Sequence, residues 1–287
     1  MAFDPYLYIA FGIGFVAGRL TNWRSPWIGD ATLLTVILLV GLLGAVLGAM
    51  PTLSFTAIPL AIAYAGLILG LTVLIAWWLP HAPLRRSNAP PVPSPRIPTS
   101  VWLLIALLVG FGVGRTTAIP ADQWLPFVLY MLLALVAFDL KLSRSAFRNV
   151  WVPLTASIGG AFAAAGIFTL VSGVAWIPSL ATSFGFGFYS LAGPLVTARF
   201  GATLGLFAFL TNFLRENLTM LLAPWLGRRV RSEGLTAMGG ATAMDTTLFF
   251  IVRYGDAEAG GLALTCGLVL TVAATLLLPI LLGIPGA

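Results

Sequence analysis

The chain has 287 residues, of which 59% are apolar and only 8% charged, where an ordinary soluble domain carries roughly 25% charge. With a mean hydropathy of +1.01 it cannot cover itself with a solvated surface, which excludes a soluble enzyme, a nucleic-acid reader and a disordered scaffold; the net charge of +6 comes from basic residues scattered between apolar runs. A single cysteine, Cys266, and a single histidine, His81 in a polar loop, leave no basis for an internal disulfide framework or a Cys- or His-rich metal site.

In chain order, the start at Met1 to Pro5 lacks the basic stretch of a signal peptide, so the first apolar segment is expected to be retained. A helix needs about 20 apolar residues to cross a bilayer. Spans are expected near Tyr6–Leu20, Ala31–Met50, Phe55–Leu79, Val101–Ile119, Trp124–Leu140, Val150–Val174, Ala202–Leu226 and Gly260–Gly283. The Pro-rich stretch from Pro80 to Thr99 breaks helices and is expected to be a loop in water. Two segments, Thr182–Arg199 and Gly234–Tyr254, are too apolar for loops and too glycine-rich for ordinary helices. Irregular backbone at membrane depth survives only against protein or a water-filled cavity. Both are read as re-entrant hairpins or discontinuous helices, with two more Gly-rich full spans as the alternative.

Charge placement orients the chain. With the N-terminus outside, the inner loops hold Arg19 and Arg24; Arg85, Arg86 and Arg96; Lys141, Arg144 and Arg148; and Arg228, Arg229 and Arg231. The outer loops hold little beyond Arg115 and Arg199. This bias predicts both termini outside.

Two self-similarities follow. Gly14-Phe15-Val16-Ala17-Gly18-Arg19 matches Gly110-Phe111-Gly112-Val113-Gly114-Arg115 at a lag of 96, and three intervening spans would invert the second copy. Thr182, Gly185, Arg199, Phe200 and Gly201 match Thr236, Gly239, Arg253, Tyr254 and Gly255 at a lag of 54. The expected organisation is a first three-helix repeat over 1–79, the Pro-rich loop over 80–99, a second three-helix repeat over 100–178, and a core with both broken segments over 179–287. The fold class is an all-α polytopic membrane protein of about eight transmembrane helices plus the two broken segments, built from inverted repeats. Paired Gly-interrupted segments of this kind point to a secondary transporter with its site near the midplane.

Of the nine acids, Asp4, Asp30, Asp122, Glu233, Asp256 and Glu258 fall in loops or at ends, while Asp139, Glu216 and Asp245 fall within apolar segments. An intramembrane carboxylate costs about 2.5 kcal/mol or more and is a functional candidate by default. Glu216 shares a helical face with Asn212, four residues earlier. It could bind a cationic substrate or exchange a proton with it, or form an ion pair with Arg199, Arg215 or Arg253. Asp245, after Gly239-Gly240-Ala241-Thr242-Ala243-Met244, could cap a helix or serve the site. Asp139 lies two residues before Lys141 at a membrane edge, where an ion pair is the plainer role. Ser183, Tyr189 and Ser190 offer hydroxyls in the first broken segment, where helix N-termini would attract an anion. Gly255-Asp256 is not part of a GxGD motif, and neither HExxH nor GxSxG occurs, so no intramembrane enzyme is expected.

The stretch Ser183-Phe184-Gly185-Phe186-Gly187-Phe188-Tyr189-Ser190-Leu191-Ala192-Gly193 resembles the GxGWYSLSG motif of the bacterial and archaeal lysine exporter family called LysO. The resemblance continues through Asn212-x-x-Arg215-Glu216 and Gly239 to Asp245, in the family's order, and is loose before residue 175. It implies an inner-membrane exporter of L-lysine and thialysine-like analogues, with no cofactor or resident metal. Substrate-binding residues would be Glu216, Asp245, Asn212, Ser183, Ser190 and Tyr189, and coupling would fall to Glu216, Asp245 and Asp139. The coupling ion would be H+ or Na+; a homodimer stays open, as does another cationic amino acid or organic solute as cargo. Some members carry an acid near the end of the second span, where this chain has Leu47-Gly48-Ala49-Met50-Pro51.

Overall fold

A computed structural model describes residues 5–21, 26–49, 57–80, 99–117, 120–139, 149–227, 229–256 and 259–283. Every regular element among them is helical. Eight long helices fall on the eight expected apolar segments: α1 (Pro5–Thr21), α2 (Pro26–Gly48), α3 (Ala57–Trp78), α4 (Thr99–Thr116), α5 (Ala121–Asp139), α6 (Trp151–Ser172), α9 (Ala202–Leu226) and α12 (Ala259–Leu282). The two Gly-rich segments become pairs of short helices: α7 (Trp176–Ser183) with α8 (Tyr189–Phe200), and α10 (Ser232–Gly239) with α11 (Leu248–Tyr254).

Helices α3, α6 and α12 are long and apolar enough to cross a membrane. Their outward faces carry bare apolar side chains: Leu170 is 87% exposed, Val171 82% and Ile280 75%. Water would not tolerate so many exposed apolar groups, whereas acyl chains match them. The chain is therefore an integral membrane protein. The aromatic residues Trp77 and Trp78 end α3, Trp151 opens α6 and Trp225 nearly ends α9. All four are exposed, as amphipathic rings at a lipid–water boundary are.

The helices form two compact units. In the first unit, α1 packs on α5, and α2 packs on α4 and α5. The contacts are made through glycine. A Cβ at Gly14 or Gly18 would collide with the backbone of Ala134 or Phe138, and one at Gly110 or Gly114 with the backbone of Gly41 or Ala45. From the other side, Gly44 and Gly48 of α2 face Leu107 and Phe111. Lipid supplies no hydrophobic force between helices, so close backbone approach at small residues spaced by four is what holds them. The matching Gly-x-x-x-Gly-Arg stretches are thus two copies of one packing device.

In the second unit, α3 packs on α6, and both flank the C-terminal helices. Gly160 admits Thr72 of α3, while Ala76, Ala156 and Ala237 form a small cluster below it. Tyr64 of α3 stacks on Phe168 with centroids 4.0 Å apart and on Phe207 at 5.8 Å. Gly173, at φ 72°, ends α6, and its N–H bonds the Thr169 carbonyl. Helix α9 touches α3, α7, α8, α10 and α11 and is the spine of this unit.

The glycine interlock gives a paired test. Gly114→Val should lower the thermal midpoint in detergent, by about 1–3 kcal/mol of overpacking cost. Gly112→Val, two residues away where a Cβ meets nothing within 4 Å, should leave it nearly unchanged. Equal effects would show that the close approach of α2 and α4 is not what holds the first unit.

A candidate site where two broken helices meet

A helix that stops inside a membrane leaves carbonyls with no intrahelical donor, and lipid offers none. The α7–α8 break turns through Phe186 at φ 48° and Gly187 at φ 94°. The α10–α11 break runs through Gly240 at φ 62° and one 3-10 turn, Gly240–Met244. Positive φ here reverses the chain within a few residues, which explains the glycines at 187 and 240.

Helix α9 supplies the missing donors. Asn212 Nδ2 donates to the Thr182 carbonyl at 2.8 Å, and Asn212 Oδ1 accepts the Gly187 N–H at 2.8 Å. Gly185 has no room for a Cβ because the Asn212 amide occupies it, 2.6 Å away. One turn on, Arg215 donates through Nε to the Met238 carbonyl at 3.3 Å and through Nη2 to the Ala237 carbonyl at 3.2 Å. Thr219 Oγ1 lies 2.8 Å from the Arg215 carbonyl and 3.3 Å from that of Met238, within reach of both. Each first arm thus ends against a side chain of α9, an amide in one case and a guanidinium in the other.

The two breaks then meet. The Ala241 N–H donates to the Phe186 carbonyl at 2.9 Å. The α7–α8 pair lies along the first half of α9, with Gly193 against Phe209 and Thr197 against Gly205. The α10–α11 pair lies along the second half, from Arg215 to Gly227, which abuts Tyr254. The two ends of this second pair are joined by reciprocal hydrogen bonds. Ser232 Oγ donates to Asp256 Oδ2 at 2.9 Å and accepts the Asp256 N–H at 2.6 Å.

Glu216 sits at this junction, 1% exposed, and neither carboxylate oxygen has a hydrogen-bond partner. It lies in the field of Asp245 and within range of the Thr246 hydroxyl, without closing a hydrogen bond to it. Asp245 Oδ1 accepts the Thr246 N–H at 2.6 Å and the Thr246 hydroxyl at 3.2 Å. Tyr189 opens α8, packs edge-on against Phe209 and Phe213 at 5.1 and 5.7 Å, and feels both carboxylates. Two acids therefore converge with a phenol and a hydroxyl, and among the described residues no cation is in contact with either. Arg215, the sequence neighbour of Glu216, serves the α10 carbonyls instead.

The remaining candidates are placed as follows. Asn212, expected to bind substrate, spends its amide on backbone, including a third bond to the Ala208 carbonyl at 3.0 Å. Ser183 is buried and donates to the Leu180 carbonyl at 3.0 Å, beside the Tyr64 hydroxyl that holds the Ser179 carbonyl. The side chains of Ser190 and Asp139 lie outside the described ones. Sequence reasoning missed Thr246, which donates to Asp245 through its N–H and its hydroxyl, and the capping role of Arg215. The signal for Arg215 was its position three residues from Asn212. Glu233, read as a loop or end acid, is 2% exposed in the first turn of α10, where Asn149 Nδ2 donates to its Oε1 at 3.1 Å. Among the described residues, no group of three or more His, Cys, Asp or Glu could hold a metal ion.

The amide clamp is testable. Asn212→Ala orphans the Gly187 N–H in a buried site, at about 1–3 kcal/mol for the unpaired group, and leaves the Thr182 carbonyl with only the longer bond from the Gly185 N–H. It should lower the thermal midpoint well beyond Ser183→Ala, which removes a local hydroxyl bond from within a single helix. A smaller effect at Asn212 would show that the first break holds its shape without α9.

Comparison with known proteins places this site within a matched region. The family described as lysine exporter LysO matches residues 104–282. A protein named lysine exporter LysO from Escherichia coli (strain K12) is 33% identical over 196 residues, which are 64% of this chain and 62% of that protein's length. A putative lysine exporter from Haemophilus influenzae (strain ATCC 51907 / DSM 11121 / KW20 / Rd) is 31% identical over 194 residues, 61% of this chain and 94% of the relative. No solved structure matches.

Proposed function

The chain belongs to the lysine exporter LysO family, and from that premise we propose that it is a secondary active transporter exporting L-lysine and its close analogues across the inner membrane. The observation that carries the reading is Glu216 facing Asp245 at the crossing of two broken helices, buried and without a cation in contact. Two carboxylates so placed form a receptor for an ammonium group. Tyr189 and Thr246 complete its polar lining. The cargo carboxylate is drawn to the start of α8, where the helix dipole is positive and where Tyr189 and Ser190 are the first two residues. Ser183 and Asn212 act one step back, shaping the break rather than touching cargo.

Both broken segments are re-entrant hairpins entering from opposite sides. The Ser232–Asp256 pair, which joins the two ends of the second, supports this, as do the opposite halves of α9 that the hairpins cover. Each hairpin is followed by a long helix, α9 or α12, so the 54-residue lag marks an inverted pair. The 96-residue lag is supported by a pairing rule. Exchanging α1, α2 and α3 with α4, α5 and α6 maps the contacts α1–α5, α2–α4, α2–α5 and α3–α6 onto themselves. The basic residues Arg229 and Arg231 at the mouth of the second hairpin put that mouth in the cytoplasm, with both chain termini outside.

Export is by alternating access coupled to protons. A proton and the ammonium compete for Glu216 and Asp245, so uptake of a proton from outside releases the cargo there. A sodium site on Asn212 and Thr242 is less well supported, because both side chains are committed. Asn212 holds three backbone groups, and Thr242 Oγ1 donates to the Gly239 carbonyl at 2.9 Å.

Inverted membrane vesicles containing the protein should take up labelled lysine when a proton gradient is imposed. Glu216→Gln should reduce that uptake at least about tenfold, equivalent to roughly 1.4 kcal/mol, and flatten its pH dependence. Parent-like uptake by Glu216→Gln, with the same pH profile, would remove Glu216 from the centre of the mechanism.

A further inference from the structure

Resting on the reading above, we propose that Arg215 sets the charge of the cargo. Its fixed positive charge makes the crossing complementary to a solute of net charge +1, and excludes diamines of charge +2.

Arg215 is fully buried. Its guanidinium spends Nε and Nη2 on the Met238 and Ala237 carbonyls, while Nη1 has no hydrogen-bond partner. Gly240 leaves the space it needs, since a Cβ there would come within 2.9 Å of Nη2. Capping the end of α10 needs only hydrogen-bond donors, which a neutral amide provides at the other break through Asn212. A guanidinium adds something that an amide cannot, a permanent charge at membrane depth.

That charge alters the balance at the crossing. Glu216 and Asp245 in their ionised forms, together with Arg215, leave one negative charge. The remaining buried or arm-end charges of the hairpins stand away from it: Arg199 and Arg253 in the last turns of α8 and α11, and Glu233 in the first turn of α10. Lysine, with two ammonium groups and one carboxylate, neutralises one negative charge. Its decarboxylated counterpart, 1,5-diaminopentane, would leave a surplus positive charge in a low dielectric. Arg215 and Glu216 are sequence neighbours with diverging side chains, so their charged ends are at most about 15 Å apart. Unit charges about 10 Å apart at an effective dielectric of about 20 alter an equilibrium constant by roughly tenfold. Arg215 thus acts through its field, as a specificity-determining residue, without touching the cargo.

The experiment compares lysine with 1,5-diaminopentane as ligands that raise the thermal midpoint of the purified full chain, and takes the ratio of their affinities. The parent should prefer lysine. Arg215→Gln should move the ratio about tenfold toward the diamine, and Arg215→Lys, which keeps the charge but loses the fork, should keep the parent's ratio. Adding Asp245→Asn to Arg215→Gln restores one net negative charge and should restore the preference for lysine. An unchanged ratio in Arg215→Gln overturns the proposal, as does a shifted ratio in Arg215→Lys. So does failure of Asp245→Asn to restore it, since Arg215 would then act by direct contact. If Arg215→Gln does not fold, Arg215→Met takes its place, with the same expected shift toward the diamine and the same overturning result. A parent that binds neither ligand overturns the transport reading instead.

Discussion

A backbone group that leaves a helix inside a membrane must find its partner within the protein. Everything in the C-terminal half of this chain follows from how that demand is met at two places. Both breaks stop a helix whose last carbonyls point into apolar surroundings, and both are answered by the same element, α9. Its middle residues must therefore be polar, although a 25-residue helix of this kind would otherwise be apolar throughout. Asn212, Arg215 and Thr219 lie three and four apart, so one helix can face both breaks over two turns. Glu216 shares that stretch but caps nothing, and both of its carboxylate oxygens are buried without a partner.

The two compact units solve the packing problem differently. The first unit uses glycine stripes that bring backbones into contact, with dispersion as the attraction. The second fills its interior with rings and small side chains, clustering Tyr64, Phe168 and Phe207 against one another, and adds buried hydrogen bonds where the helices break. Polar satisfaction is thus concentrated where the chain is broken, and the chemistry sits in the same place.

Much of this was legible in the sequence because membrane helices write themselves in composition. Eight apolar runs predicted eight long helices, and the range expected for α9 is the range observed. The breaks were legible too, since Gly185, Gly187, Gly239 and Gly240 interrupt runs that are otherwise apolar. Side-chain direction was not. Glu216 and Arg215 differ by one position and by about 100° around the helix, and only the packed structure tells which lies near Asp245 and which faces carbonyls. Asn212 has the composition of a binding residue, and nothing in the sequence indicates that its amide is fully engaged. Glu233 follows a basic, loop-like stretch, so its burial under Asn149 depends on where α6 begins. The assignment of α3 to the C-terminal unit was likewise invisible, because an apolar helix carries no label for the partner it prefers.

Among the described residues, one backbone bond, from the Ala241 N–H to the Phe186 carbonyl, joins broken segments that otherwise lie along opposite halves of α9. It has no side-chain component, so only proline at position 241, which lacks the N–H, deletes it directly; otherwise it exists while both tips are seated. Drawing either tip away leaves a bare N–H and a bare carbonyl between buried residues, at about 1–3 kcal/mol for each unpaired group. The two breaks therefore hold their shape as a pair, and a change that unseats one tip is felt at the other.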